Sequence, residues 1–207
     1  VTDSTPRRGY DSLRRQAQAQ RTRAEIAEAA RRLFVARGWG ATTVREVAQE
    51  AGVSVPTVYA AYGNKTGLVW ALVEAADLPA DPARLLGELE SAEPTRQLAA
   101  MAGYDRRLFE RSGDLIGLIR EAGRTEADLA TLYTRVRRAA DGIREEVFSA
   151  WPTGTLRSGV DLSTAVDTYA ALCNIDVYTV LTRERGWSPE RVEQWWSHVL
   201  VRQLLDG

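Results

Sequence analysis

The chain has 207 residues, 44% of them hydrophobic and 27% charged, with a formal net charge of −1. This composition suits a soluble globular protein of one or two domains, and no apolar run approaches the ~20 residues of a membrane helix. A lone cysteine, Cys173, excludes an internal disulfide, and the start has no hydrophobic secretory core, so a cytoplasmic location is expected.

The charge is divided unevenly. Residues 1–65 hold 11 Lys and Arg against 6 Asp and Glu, and the remaining 16 and 22 make the rest of the chain acidic. A basic head on an acidic body suits a protein that meets phosphate at one end.

Residues 1–21 read as a basic, partly disordered arm in which Ser12 to Gln20 could extend the first helix backwards. Its arginines are either a solvated tail or an auxiliary phosphate contact. Thr22 and Glu25 fit a capping box for a helix bearing Ile26, Ala30, Leu33 and Phe34; Gly38 ends it, and Trp39 can fold back over a small core. Thr43 and Glu46 form a second capping box, ahead of Val44, Val47, Ala48 and Ala51 at helical spacing. Gly52 closes that helix, Ser54 caps the next, and Pro56 is tolerated in its first turn. Two short helices joined by Ala51-Gly52-Val53-Ser54 outline a helix-turn-helix, which places its second helix in the major groove of DNA. Val58 and Tyr62 are expected inward, with Val55, Thr57, Ala60 and Ala61 turned outward.

A fourth helix runs from about Lys65 to Ala76, and Leu78-Pro79-Ala80 breaks the chain. Asp81 caps a short helix through Leu89. Pro94 starts a longer one that Ser112-Gly113 is expected to interrupt before an apolar segment, Leu115 to Ile119. The next helix is capped near Thr125 and extends to about Trp151. Asp161 opens a long helix to Gly186, and Ser188-Pro189-Glu190 starts the last. No strand, internal repeat or coiled-coil seam is evident. The expected architecture is all-α, about nine helices, with an N-terminal three-helix helix-turn-helix head (22–67) and a C-terminal helical body (68–207), to which the family resemblance described next assigns ligand binding and dimerisation.

The run from Thr22 to Leu68 resembles the N-terminal domain of the TetR family of transcriptional regulators. The helix ending Leu33-Phe34 with Gly38 and Trp39, the Thr43 cap, Ala51-Gly52-Val53-Ser54, Thr57-Val58-Tyr59 and Lys65 carry the likeness. RERGWSPERVEQWW near the C-terminus extends it weakly. The resemblance implies that Val55 to Tyr62 is the recognition helix, that Thr43, Thr57, Tyr59 and Lys65 grip phosphates, and that Val55, Pro56 and Ala60 face base edges. Arg45 would reach a base or phosphate. The reading face departs from richer members of the family: Val55, Pro56, Ala60 and Ala61 have no side-chain donors, and Ala61 stands where histidine is common. Direct readout then falls to Arg45 and Thr57, with DNA shape and half-site spacing supplying the rest.

In the body, Trp70, Met101, Tyr104, Phe109, Ile116, Tyr133, Asn174 and Tyr178 lie on segments that line the ligand cavity in TetR-like proteins; the competing reading of each apolar one is plain core. Asn174 in an apolar helix must find a hydrogen bond from a ligand, a partner subunit or a neighbouring helix. Tyr169, Val177, Trp195, Trp196, Val199 and Leu200, with Leu204, are the expected dimer interface, because so much apolar surface on the last helices favours a four-helix bundle with a second copy. His198 reads as structural. No catalytic residue, cofactor or metal site is expected: the chain has one histidine, one cysteine, no phosphate loop and no nucleophile elbow. The expected partners are double-stranded palindromic DNA, a small apolar or amphipathic ligand and a second copy of the chain, with no membrane. The alternative is a helical protein-interaction module with a vestigial helix-turn-helix.

Overall fold

The computed structural model describes residues 7–76, 81–90 and 93–206. The expected disorder of residues 1–6 and the break at Leu78-Pro79-Ala80 lie outside these residues, as do the side chains of Arg7, Arg8, Arg14 and Arg15. The chain forms two compact units, Val1–Ala75 and Ala76–Gly207. The described residues contain ten α-helices, one π-helical turn and a single isolated bridge between Leu156 and Leu205.

The first unit holds α1 (Arg7–Arg37), α2 (Val44–Glu50), α3 (Val55–Tyr62) and α4 (Lys65–Ala76). Thr22 is not a cap, because α1 already begins at Arg7. The Gln- and Ala-rich run before it has no breaker, and one threonine costs too little helix propensity to stop it. Ile26, Ala29, Ala30, Leu33 and Phe34 form the buried stripe of α1. Trp39 turns back as expected and stacks on Phe34 with ring centroids 5.6 Å apart. The unit extends beyond residue 67 into α4, where Leu68, Val69 and Leu72 are buried.

The second unit holds α5 (Pro82–Leu89), α6 (Pro94–Ala122), α7 (Ala127–Ser149), α8 (Leu162–Leu172), α9 (Ile175–Thr179), the π-turn Val180–Glu184 and α10 (Pro189–Leu204). The long α6 is central, packing against α5, α7, α9 and α10, while α8 packs on α7 and α10. Ser112-Gly113 does not interrupt α6. Gly113 instead admits a close neighbour: a Cβ there would stand 3.0 Å from Ile175 Cδ1. Conversely, the expected helix from Asp161 to Gly186 is broken. Cys173 leaves helical geometry at φ −97°, ψ 73°, and Asn174 restarts the chain as the cap of α9.

Trp196 is fully buried in the body core, edge-on to Phe109 at 6.1 Å and beside Tyr178 at 6.1 Å. Tyr169, Leu200 and Leu204 are likewise fully buried. Four of the residues expected to need a second copy to cover them are therefore covered by their own chain. α6 supplies the area that one terminal helix lacked.

Candidate nucleic-acid interface and body cavity

The head is built by caps. Thr43 N donates to Glu46 Oε2 at 2.8 Å and Glu46 N donates to Thr43 Oγ1 at 3.2 Å, closing the capping box at the start of α2. These bonds, with Arg37 beside them, hold the Glu46 carboxyl below its ordinary range. Ser54 Oγ accepts from Thr57 N at 3.3 Å and lies 2.8 Å from Thr57 Oγ1, so α3 is fixed at its first turn. Gly52 makes the turn between the helices at φ 67°, a conformation that favours glycine. Val58 is buried, and Tyr62 Oη donates to Arg23 O at 2.7 Å, tying the inner side of α3 to α1.

The opposite side of α3 is open. Pro56, Tyr59 and Ala60 are exposed, Val55 and Thr57 half-buried, and at the start of α2 Thr43 and Arg45 are exposed. Arg45 makes no hydrogen bond or ion pair with any described residue. The acids of α2 are neutralised by α1: Arg37 donates to Glu46 at 2.9 Å and Arg32 to Glu50 at 3.1 Å. An open arginine beside paired acids is the charge arrangement a phosphate backbone favours.

Lys65 differs from its expected part. It stands at the start of α4, but its ammonium donates to Trp39 O and lies 3.9 Å from the centre of the Trp39 ring. That geometry is a structural tie between α4 and the turn after α1, with a cation–π component.

In the second unit, α6, α7 and the α8–α9 junction line a cavity of about 70 Å³. Its hydrocarbon lining is Leu108, Phe109, Ile116, Ile119, Val136, Ala140 and Ile175, with Tyr133; its polar lining is Asp105, Arg137, Arg144 and Cys173. A smaller recess lined by Met101, Tyr104 and Leu85 shares Asp105, Ala140 and Arg144 as its wall. Of the expected ligand residues, Phe109, Ile116 and Tyr133 line the cavity and Met101 and Tyr104 the recess. Trp70, in the first unit, lines neither. Nor does Tyr178, which packs on Phe109 and Trp196. Asn174 lines neither as well: its Oδ1 accepts from Asp176 N at 3.0 Å and Val177 N at 3.1 Å, and its Nδ2 donates to Ala171 O at 2.7 Å. Its polar groups are satisfied by adjoining backbone, without a ligand or a partner.

Sequence reasoning missed the polar centre of this unit. Asp105 Oδ2 accepts from Tyr169 Oη at 3.0 Å and from Arg144 at 3.4 Å, and Arg144 also donates to Asp141 at 2.6 Å. The Arg144 guanidinium lies 4.6 Å from the centre of the Tyr169 ring. Burial pushes the Asp105 carboxyl up, against the pull of Arg144 and Tyr169, and pushes the Tyr169 phenol and the Cys173 thiol well above their ordinary values. For Arg144, burial opposes the charge, but Asp105 and its neighbours prevail and raise it. The signal lay in spacing: Asp105 falls four residues after Met101 and three before Leu108, on the apolar stripe of α6.

Residues 26–72 match the family model of bacterial regulatory proteins, tetR family. The regulator TtgR of Pseudomonas putida is 46% identical over 57 residues, which is 28% of this chain and 27% of that protein. The chain thus matches only about a quarter of the length of its curated relatives. Across the fold, it aligns with a candidate transcriptional regulator of Saccharomonospora viridis in complex with choline, at TM-score 0.70 and 19% identity, covering 91% of this chain and 100% of that one. It also aligns with NalD of Pseudomonas aeruginosa, the secondary repressor of the MexAB-OprM multidrug efflux pump, at TM-score 0.67 and 21% identity, covering 91% and 98%.

Proposed function

We propose that the chain is a regulator of the TetR type, whose family model its residues 26–72 match, and that it is a homodimeric, non-catalytic repressor, acting in the cytoplasm and released from a palindromic operator by a small molecule. The observation that carries this reading is the open face formed by Arg45, Pro56, Tyr59 and Ala60, on helices whose other sides are anchored to α1. Thr43, Thr57 and Tyr59 hold phosphates, and Arg45 reads a base edge. The repressor role follows NalD, and the ligand role follows the choline-bound relative together with the cavity in this chain's own body.

Dimerisation uses the half-buried Val177, Trp195 and Val199 rather than the fully buried members of the expected set. Two heads then meet successive half-sites about one helical turn apart. Ligand acts by population shift: it must bind more tightly to the arrangement of the two heads that does not fit DNA. α4 is the covalent link between head and body.

Mobility shifts on the protein's own promoter region, titrated with salt, test the reading. Arg45→Ala is expected to lose about tenfold in affinity and to relax base preference, since a good base contact supplies about 1–3 kcal/mol. Tyr59→Phe is expected to weaken all sequences equally and by less. Binding that never exceeds non-specific affinity, or an Arg45→Ala variant unchanged in both respects, would overturn the proposal. The first result would favour the interaction module.

A further inference from the structure

The charges around the body cavity narrow what it would hold, an inference that rests on the ligand-responsive reading above. Its lining mixes hydrocarbon from α6 and α7 with three charged groups that are not equivalent, Asp105 on α6 and Arg137 and Arg144 on α7. Asp105 is only 6% exposed and is already bonded by Tyr169 and Arg144. Arg144 is committed to Asp141 and Asp105, with the Tyr169 ring against its face. Arg137 sits two turns earlier on α7, half-buried in the same lining. It makes no hydrogen bond or ion pair with any described residue, and its charge reaches Asp105 only at longer range.

A guanidinium beside hydrocarbon, with no protein anion bonded to it, offers a planar fork of donors that matches a carboxylate. A cation placed in the same space would face Arg137 and Arg144 and would find Asp105 already occupied. Size sets a second limit. A cavity of about 70 Å³ holds about two waters at liquid density, so a small molecule enters it only in part, through its open side, and large polycyclic molecules are excluded unless the helices move apart.

We propose that the effector is a small monoanion, a short-chain or single-ring carboxylic acid whose carboxylate is held by Arg137 and whose tail lies on Leu108, Phe109 and Ile116. Asp105 and Arg144 stay in the lining with their own bonds to Tyr169 and Asp141 kept.

Isothermal titration of the full chain with butyrate and benzoate, against benzamide as neutral and choline as cationic control, decides the matter. At least one acid is expected to bind at least tenfold more tightly than either control. Arg137→Gln should remove at least tenfold of the acid's affinity while leaving benzamide unchanged, and Arg137→Lys should restore part of the loss; thermal melts confirm that both variants fold. Choline or benzamide binding as tightly as the acids, an Arg137→Gln variant with undiminished acid binding, or no acid binding up to millimolar concentration each overturns the inference. The mobility shift separates this from the regulator reading. Operator binding with no acid binding defeats only the ligand class. Acid binding that depends on Arg137, without operator binding, supports the acid site and defeats the regulator.

Discussion

In the first unit both acids of α2 are paired with arginines of α1 at the surface, whereas the second unit places Asp105 and Arg144 inside its core. Both units use charge to hold helices together, but the settings differ. Exposed pairs contribute about 0–1 kcal/mol each, so the head depends on caps, a small apolar core and the Lys65 tie. A buried pair contributes little as a pair, yet removing one member strands the other. The head can therefore spare its outward side chains for the DNA backbone that the proposed function assigns to it. The body cannot change its polar centre without consequence for the fold.

Three measurements test that contrast. Asp105→Ala should have the largest effect, destabilising the body by about 3–5 kcal/mol in denaturant unfolding, because Arg144 loses its partner on one side and Tyr169 its acceptor. Replacing the pair together, Asp105→Leu with Arg144→Met, should recover most of that loss. If the double variant is no better than the single, the pair holds the fold by more than mutual compensation.

Lys65→Ala should come next, costing the head about 1–2 kcal/mol through the lost bond to Trp39 O and the lost contact with its ring. Thermal melting checks it. Full retention of stability, with DNA affinity reduced at every sequence, would return Lys65 to the phosphate role that its position suggests.

The smallest effect is a pH slope. The Asp105 carboxyl is raised above its ordinary value mainly by burial. The folded state therefore keeps its proton longer than the unfolded one, and the group's contribution to stability is full below the ordinary value of 3.8 and declines as pH rises through the raised one. Asp105→Asn should flatten this decline in melts between weakly acidic and neutral pH. A slope identical to that of the unaltered chain would assign it to other groups.

The local chemistry of the head was legible from its residues alone. Capping boxes, a left-handed glycine and helical spacing are interactions within a few positions, so Thr43, Gly52, Ser54 and Val58 stand where their neighbours dictate. The body was legible only in outline. Asn174 carries a strong cap signal, but the apolar spacing on either side of it reads equally well as one continuous helix. Gly113 looked like a breaker because a single chain of letters does not show that Ile175 needs the space. Trp196 and Leu200 looked like a surface for a second copy because their burial depends on α6, far back in the chain, and Tyr169 did because its burial depends on α7 and α10. Asp105 and Arg144 were invisible as a pair for the same reason: 39 residues separate them. Sequence by itself determined the caps at Thr43, Ser54, Asp161 and Ser188, the turn and the all-helical class, since these follow from local backbone preference, while the Thr22 and Thr125 caps it also suggested do not form. Tertiary structure alone decided which apolar faces meet, which charges go inside and what the cavity offers a ligand, since those follow from distances that only packing sets.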